Sequence, residues 1–108
     1  MENKVLNLLG LALRANKLVS GEDIVIDAMR KKKAKLVFLA SDASPKTIDK
    51  FETKCFYYKV ELNMMFNTEE LSKSIGKSRK ILAIIDDGFY KSIKRSLGGM
   101  TNEGKRDN

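Results

Sequence analysis

The residues best placed to do chemistry fall in two short segments. One is Ser20–Gly21 with Glu22 and Asp23; the other is Gly76 followed by Lys77, Ser78, Arg79 and Lys80. Ser20 is a good N-cap type, and Asp23, three residues on, can reach back to its N–H as a capping box. Val19 and Ile24 form the matching hydrophobic staple. Together they predict a helix start at Ser20–Gly21. Gly21 lacks a side chain, so another molecule can approach the free N–H groups and the positive end of the helix dipole. If the Gly76–Lys80 loop lies beside this start, the two form a cleft. Its walls would carry N–H donors on one side and Lys77, Arg79 and Lys80 on the other, which are groups that meet phosphates. Ile48 or Ile81 nearby could pack on an extruded base. A capped helix beside a solvated loop has the same local pattern.

A second constellation is acidic. Asp42 follows one predicted strand, and Asp86 with Asp87 follows another. Carboxylates at the carboxyl ends of strands in an open α/β sheet can hold Mg²⁺ for phosphoryl chemistry. This is the rival reading: a small Mg²⁺-dependent enzyme or receiver-like module. Helix capping uses the same residue types at the same places, and no glycine-rich phosphate loop accompanies them. Cys55, beside Lys54, falls at an inferred helix end, where the dipole does not lower a thiol pKa. It reads as a core residue.

Composition narrows the choice. The 108 residues suffice for one domain with a modest core, and 43% are hydrophobic, which excludes disorder. The net charge of +7 favours a polyanionic partner, nucleic acid first. No apolar run approaches a membrane span, and there is no secretory leader pattern. One Cys and no His exclude a zinc site and a Ser-His or Cys-His nucleophile system. No cofactor is expected. The single thiol suits a reducing compartment, so the expected location is cytoplasmic.

The elements that must position these residues can be read in order. Glu2 to Ala15 is an amphipathic helix with Val5, Leu8, Leu9, Ala12 and Leu13 at helical spacing. Leu18–Val19 is a very short strand. The second helix buries Ile24, Val25, Ala28 and Met29 and ends in Arg30 to Lys33, which suits its C-terminal dipole. Leu36–Ala40 is a strand covered on both faces. Ser44 and Pro45 start a third helix running to about Lys54. Phe56–Val60 reads as a strand from its aromatic content, and 61–66 as irregular. Asn67 and Glu70 form a capping box, with Phe66 and Leu71 as staple, and Gly76 ends that helix. Ile81–Ile85 is a buried strand. Asp86 or Asp87 caps a last helix to Ser96 or Leu97. The pattern is an α/β domain over 1–97, with about four strands between helices on both faces, and a flexible polar tail over 98–108.

Three pieces carry a family resemblance: LALRANKLVSGEDIVIDAMRKKKAKLVFLASDASP, the Cys55-to-Val60 segment, and LSKSIGKSRKILAIID. The chain resembles the kink-turn-binding ribosomal protein family (the L-seven-Ae family), in its small stand-alone bacterial branch, over roughly Val5 to Leu97. The resemblance implies a three-layer α-β-α sandwich with a small mixed sheet, and no catalysis. It implies binding of structured RNA at kink-turns, which are sharply bent duplexes with sheared G·A pairs and an extruded nucleotide. Ribosomal RNA is among the implied partners, and the expected state is a monomer away from membranes. The family reads the G·A pairs with Gly-x-Asn-Glu-x-x-Lys at a helix start. Gly21 matches, with Ser20 and Glu22 beside it. Asp23, Ile24 and Asp27 stand where Asn, Glu and Lys are usual. Ile48 falls where an apolar residue covers the extruded base, and Gly76, Lys77, Ser78 and Arg79 fall in the loop that grips the backbone. Ionised Asp cannot donate to a base edge and Ile makes no hydrogen bond, so these departures predict weakened kink-turn affinity. A third reading, a protein-interaction module whose charge serves solubility, is separated from the first by salt-dependent RNA binding.

Overall fold

The computed structural model describes residues 3–101. The elements follow in the order α1 (Lys4–Arg14), β1 (Leu18–Ser20), α2 (Glu22–Arg30), β2 (Leu36–Leu39), α3 (Pro45–Tyr58), β3 (Glu61–Asn63), α4 (Thr68–Ile75), β4 (Ile81–Ile84) and α5 (Asp87–Thr101). The sheet order is β1-β4-β2-β3, antiparallel at β1/β4 and β4/β2 and parallel at β2/β3. Side chains alternate across it. Leu18, Leu36, Phe38, Leu82 and Ile84 enter one core with Val5, Leu9, Leu71 and Ile93 of α1, α4 and α5. Val37, Leu39, Ile81 and Ala83 enter the other with Val25, Met29, Phe51 and Cys55 of α2 and α3. Helices thus cover both faces, which is why β2 and β4 read as unbroken apolar runs. This is the expected three-layer sandwich with a mixed sheet.

Local chemistry explains the boundaries. Asn3 caps α1 by accepting from the Leu6 N–H at 3.1 Å; Glu2, the expected first residue, lies outside the described residues. Ser44 caps α3 through the Thr47 N–H at 3.2 Å, with Pro45 at the first turn. Asn67 and Glu70 form the expected reciprocal box at α4, and Phe66 and Leu71 share one core. Gly76 ends α4 with φ 78°, a left-handed residue that suits glycine.

Four expectations need correction. Ser20 does not cap α2. It ends β1, paired with Leu82, and Gly21 occupies the cap position with φ 100° and no side-chain cap bond. The buried face of α2 is Val25, Ile26, Ala28 and Met29, and Ile24 is 57% exposed, so it is no core staple. The third helix does not stop at Lys54. It runs to Tyr58, so Phe56–Val60 is not a strand; the strand follows at Glu61–Asn63. Helical period wins there because Phe51 and Cys55 are buried one turn apart and Tyr58 packs half-buried on the same core. Lys59 then adopts φ 60°, and the Val60 N–H closes back on the Cys55 carbonyl at 2.9 Å. Finally, α5 continues helically through 98–101, where a polar tail is expected to begin; the rest of that tail, 102–108, lies outside the described residues.

Candidate functional site

Sheet topology sets the site. β4 is antiparallel to β1 and β2, and β3 is parallel to β2. The carboxyl ends of β1, β2 and β3 therefore meet the amino end of β4 at one end of the sheet. Gly21, the Ser41–Ser44 turn, the Met64–Phe66 segment and the Gly76–Lys80 loop all emerge there.

The helix start and the loop do lie side by side. The Gly21 N–H donates to the Ile81 carbonyl at 3.1 Å. Arg79 Nε donates to Ser20 Oγ at 3.2 Å, and Arg79 Nη1 donates to the Ser78 carbonyl at 2.8 Å. Ser72 Oγ of α4 accepts from the Arg79 N–H at 3.0 Å and donates to its carbonyl at 3.2 Å. The loop backbone is thus pinned to α4, and the Arg79 side chain spans from the loop to β1. Lys77, Ser78 and Lys80 are exposed, and no ion pair engages either lysine among the described residues. Ser20 is nearly buried, so its hydroxyl serves to orient Arg79.

Gly21 leaves open space where a Cβ would stand, with no atom within 4 Å, while its φ of 100° would strain any other residue. The first turn of α2 therefore opens outward at its dipole end, and Glu22 and Asp23 lie there exposed. Glu22 Oε1 pairs with Lys50 Nζ at 3.0 Å, tying α2 to α3. Asp27 pairs within its own helix, with Arg30 at 3.7 Å and Lys31 at 3.0 Å. Glu22 at the helix start and Asp27 in the second turn are thus partly neutralised by neighbours, and Asp23 has no ion pair among the described residues. Ile24 and Asp27 share a shallow hollow of about 160 Å³ with Val19 and Ile85. Ile48 is half-buried and keeps an accessible edge near the Ser41–Pro45 turn. Ile81 is 2% exposed and cannot meet a base.

A third wall escaped the sequence reading. The Ser41 N–H donates to the Phe66 carbonyl at 2.9 Å, and Met65 beside it is 43% exposed. Asn63 Oδ1 accepts from the Met65 N–H at 2.8 Å, an Asx turn that shapes the segment. The Asn63 side chain was the available signal. Asp42 latches the same end: Oδ1 accepts from the Thr68 N–H at 2.9 Å and the Thr68 hydroxyl at 2.7 Å. The Thr68 side-chain bond, helped by its backbone bond, holds the Asp42 carboxyl below its usual range.

That latch also separates the acidic constellation. Asp42 lies at the site end. Asp86 and Asp87 lie at the opposite end, where Asp86 Oδ2 caps the Phe89 N–H at 2.9 Å and approaches Lys17 at 3.9 Å, and Asp87 meets Lys35 at 3.5 Å. The three carboxylates do not converge, and no group of metal-ligating side chains forms among the described residues. Lys31 to Lys33 end α2 far from its start, outside the cleft. Cys55 is buried, and desolvation pushes its thiol up to about 11. No helix among the described residues is long and apolar enough to cross a membrane.

Known proteins share this fold. A protein of unknown function from Bacillus halodurans has a solved structure that superposes with a TM-score of 0.83 at 36% identity, covering 89% of this chain and 98% of that one. The Giardia lamblia 15.5kD RNA binding protein superposes with a TM-score of 0.75 at 18% identity over 88% of this chain and 82% of its own, a likeness of fold. The RNA-binding protein YlxQ of Enterococcus faecium is 45% identical over 96 residues, 89% of this chain and 93% of the relative. Its namesake in Bacillus subtilis (strain 168) is 51% identical over 87 residues, 80% of this chain and 87% of the relative. The model of the ribosomal protein L7Ae/L30e/S12e/Gadd45 family matches residues 3–94. With that match spanning the sandwich and the cleft alike, the chain belongs to the ribosomal protein L7Ae/L30e/S12e/Gadd45 family.

Proposed function

We propose that this chain is a non-enzymatic RNA-binding protein that takes structured, kink-turn-like RNA at the Gly21/Gly76–Lys80 end of its sheet, ribosomal RNA among its targets. The observation that carries the reading is the junction of the α2 start and the α4–β4 loop through Arg79 and Ser20. It joins an open helix dipole end to exposed Lys77 and Lys80 on a rigid frame. Phosphates would meet the Gly21–Asp23 backbone and the lysines, while Ile48 and Met65 offer apolar surface to an unstacked base. Family membership and the likeness to two RNA-binding YlxQ proteins support the RNA assignment. The protein would act as a monomer in the cytoplasm, without cofactor. The partial neutralisation of Glu22 and Asp27 by Lys50, Arg30 and Lys31 favours binding despite the acidic residues of α2.

The test is the salt dependence of binding to a kink-turn RNA. Neutralising Lys77 and Lys80 with Gln should flatten the slope of log K against log salt by about 2 units if each meets one phosphate. An unchanged slope removes the loop from the interface. Arg79 is better left in place in this experiment, because its side chain also holds Ser20.

A further inference from the structure

The outer face of α3 carries features that the cleft does not use. Phe56 is 87% exposed and Tyr57 74%, well above Leu11, Ile24 and Met65, the other exposed large apolar side chains. Neither supports the fold. Tyr57 is nonetheless held in place. Its ring meets Tyr58 edge to face, with centroids 4.8 Å apart and planes at 85°, and Tyr58 is anchored half-buried on the core. Beside the Tyr57 ring lies an open hollow of about 450 Å³ lined by Asp49, Lys50, Thr53, Lys54, Tyr57 and Tyr58.

The basic residues of α3 form a line. Lys46, Lys50 and Lys54 recur every four residues, about 6 Å apart along the axis, and lead to Tyr57 and Tyr58 one turn further. The line begins beside the Ser41–Pro45 turn, and Lys50 contacts Glu22 at the start of α2. It is therefore continuous with the cleft. Cations that follow a backbone towards a rigid exposed aromatic ring are the components of single-strand recognition, because every base has a face that can stack. A duplex offers no free base faces to Tyr57. A two-fold symmetric second copy would set the lysine line against its own equivalent.

We propose that the Lys46–Lys50–Lys54 line and Tyr57 form a second RNA contact, which takes a single-stranded segment leaving the structured RNA held at the cleft. This rests on the RNA-binding reading above and adds the class of RNA: a structured element with an unpaired flank.

The experiment compares three RNAs on the full chain: a blunt kink-turn duplex, the same duplex with an unpaired uridine extension of about ten nucleotides on either strand in turn, and the extension alone. The extension should tighten binding by about fivefold or more in the parent and in Tyr57→Phe, and by less than about twofold in Tyr57→Ala and Lys54→Gln. Blunt-duplex affinity should not change in Tyr57→Ala. The chain has three Tyr and no Trp, so quenching of tyrosine emission by the extension reports stacking directly. If the blunt duplex binds and the extension adds nothing, this contact is wrong while the cleft reading stands. If the blunt duplex does not bind, the cleft reading fails, and the extension alone decides: Tyr57-dependent binding upholds the α3 contact, and none overturns it. A concentration-dependent dimer in sedimentation that is lost in Tyr57→Ala assigns the face to a second copy and overturns the proposal.

Discussion

Restoring the family pattern at the helix start should tighten RNA binding without unfolding the protein. The perturbation is Asp23→Asn, Ile24→Glu and Asp27→Lys made together. It raises the net charge by two, from +7 to +9, since the three changes contribute plus one, minus one and plus two. Asn at 23 can both donate to and accept from a base edge, Glu at 24 can accept from a guanine amino group, and Lys at 27 meets phosphate. Each good bidentate contact is worth about 1–3 kcal/mol, so one such gain implies at least tenfold, about 1.4 kcal/mol. The structural cost is small. Asp27→Lys removes two exposed pairs, with Arg30 and Lys31, worth about 0.3–0.5 kcal/mol each, and adds repulsion of similar size. Ile24 is 57% exposed, so its replacement loses little packing, and an acid in the first turn suits the dipole. The triple variant should therefore melt close to the parent while its Kd for a kink-turn RNA, by calorimetry or gel shift, falls tenfold or more. A folded triple variant that binds no tighter would refute the argument, because the helix start would then not face the G·A pairs.

Other outcomes follow from the packing and the latches. Asp42 lies below its usual carboxylate value of 3.8 because Thr68 bonds to it, so its contribution to stability is complete above that value and fades as pH falls through the lower folded-state pKa. Asp42→Ala should melt earlier than the parent at neutral pH, and the gap should close in strong acid; a gap independent of pH would contradict this. A Cβ at Gly10 would lie 2.7 Å from the Ser74 backbone oxygen. Gly10→Ala should therefore destabilise, because forcing α1 from α4 costs about 1–3 kcal/mol against a helix-propensity gain of about 1 kcal/mol; denaturant unfolding measures the net sign. Cys55, buried and with its thiol pushed up to about 11, should resist thiol reagents at neutral pH in the folded protein and react at once in urea.

Much of the sandwich was legible because its signals were redundant. Ser44 with Pro45, Asn67 with Glu70, and Gly76 each matched a cap that the structure contains. The apolar runs of β2 and β4 read correctly because both faces are covered. Two failures share one cause, local propensity overridden by tertiary contact. Ser20 has the chemistry of a cap, but strand pairing with Leu82 claims its backbone and Arg79 claims its hydroxyl. Phe56, Tyr57 and Tyr58 have strand propensity, yet Phe51, Cys55 and Tyr58 hold that stretch on a helical period. Ile24 failed differently: it flanks the Val25, Ala28 and Met29 stripe on one side, and the buried face extends to Ile26 on the other. The juxtaposition of Gly21 with the Gly76–Lys80 loop needed the strand order β1-β4, which no local pattern encodes. The neutralising pairs of Glu22 and Asp27 were equally hidden, since Lys50 comes from another helix.

The most direct measurement compares the affinity of the full chain for a kink-turn RNA with its affinity for a control duplex of equal length and charge. In the control, Watson–Crick pairs replace the sheared G·A pairs and the extruded nucleotide is absent. Both should be measured at one near-physiological salt concentration, since affinities at different salt are not comparable. If a kinked backbone brings phosphates to the exposed Lys77 and Lys80 while the α2 start faces base edges, the kink-turn should bind at least about tenfold tighter. Equal affinities would mean that the basic cleft reads charge alone, and would contradict the claim that this end of the sheet recognises a kinked RNA.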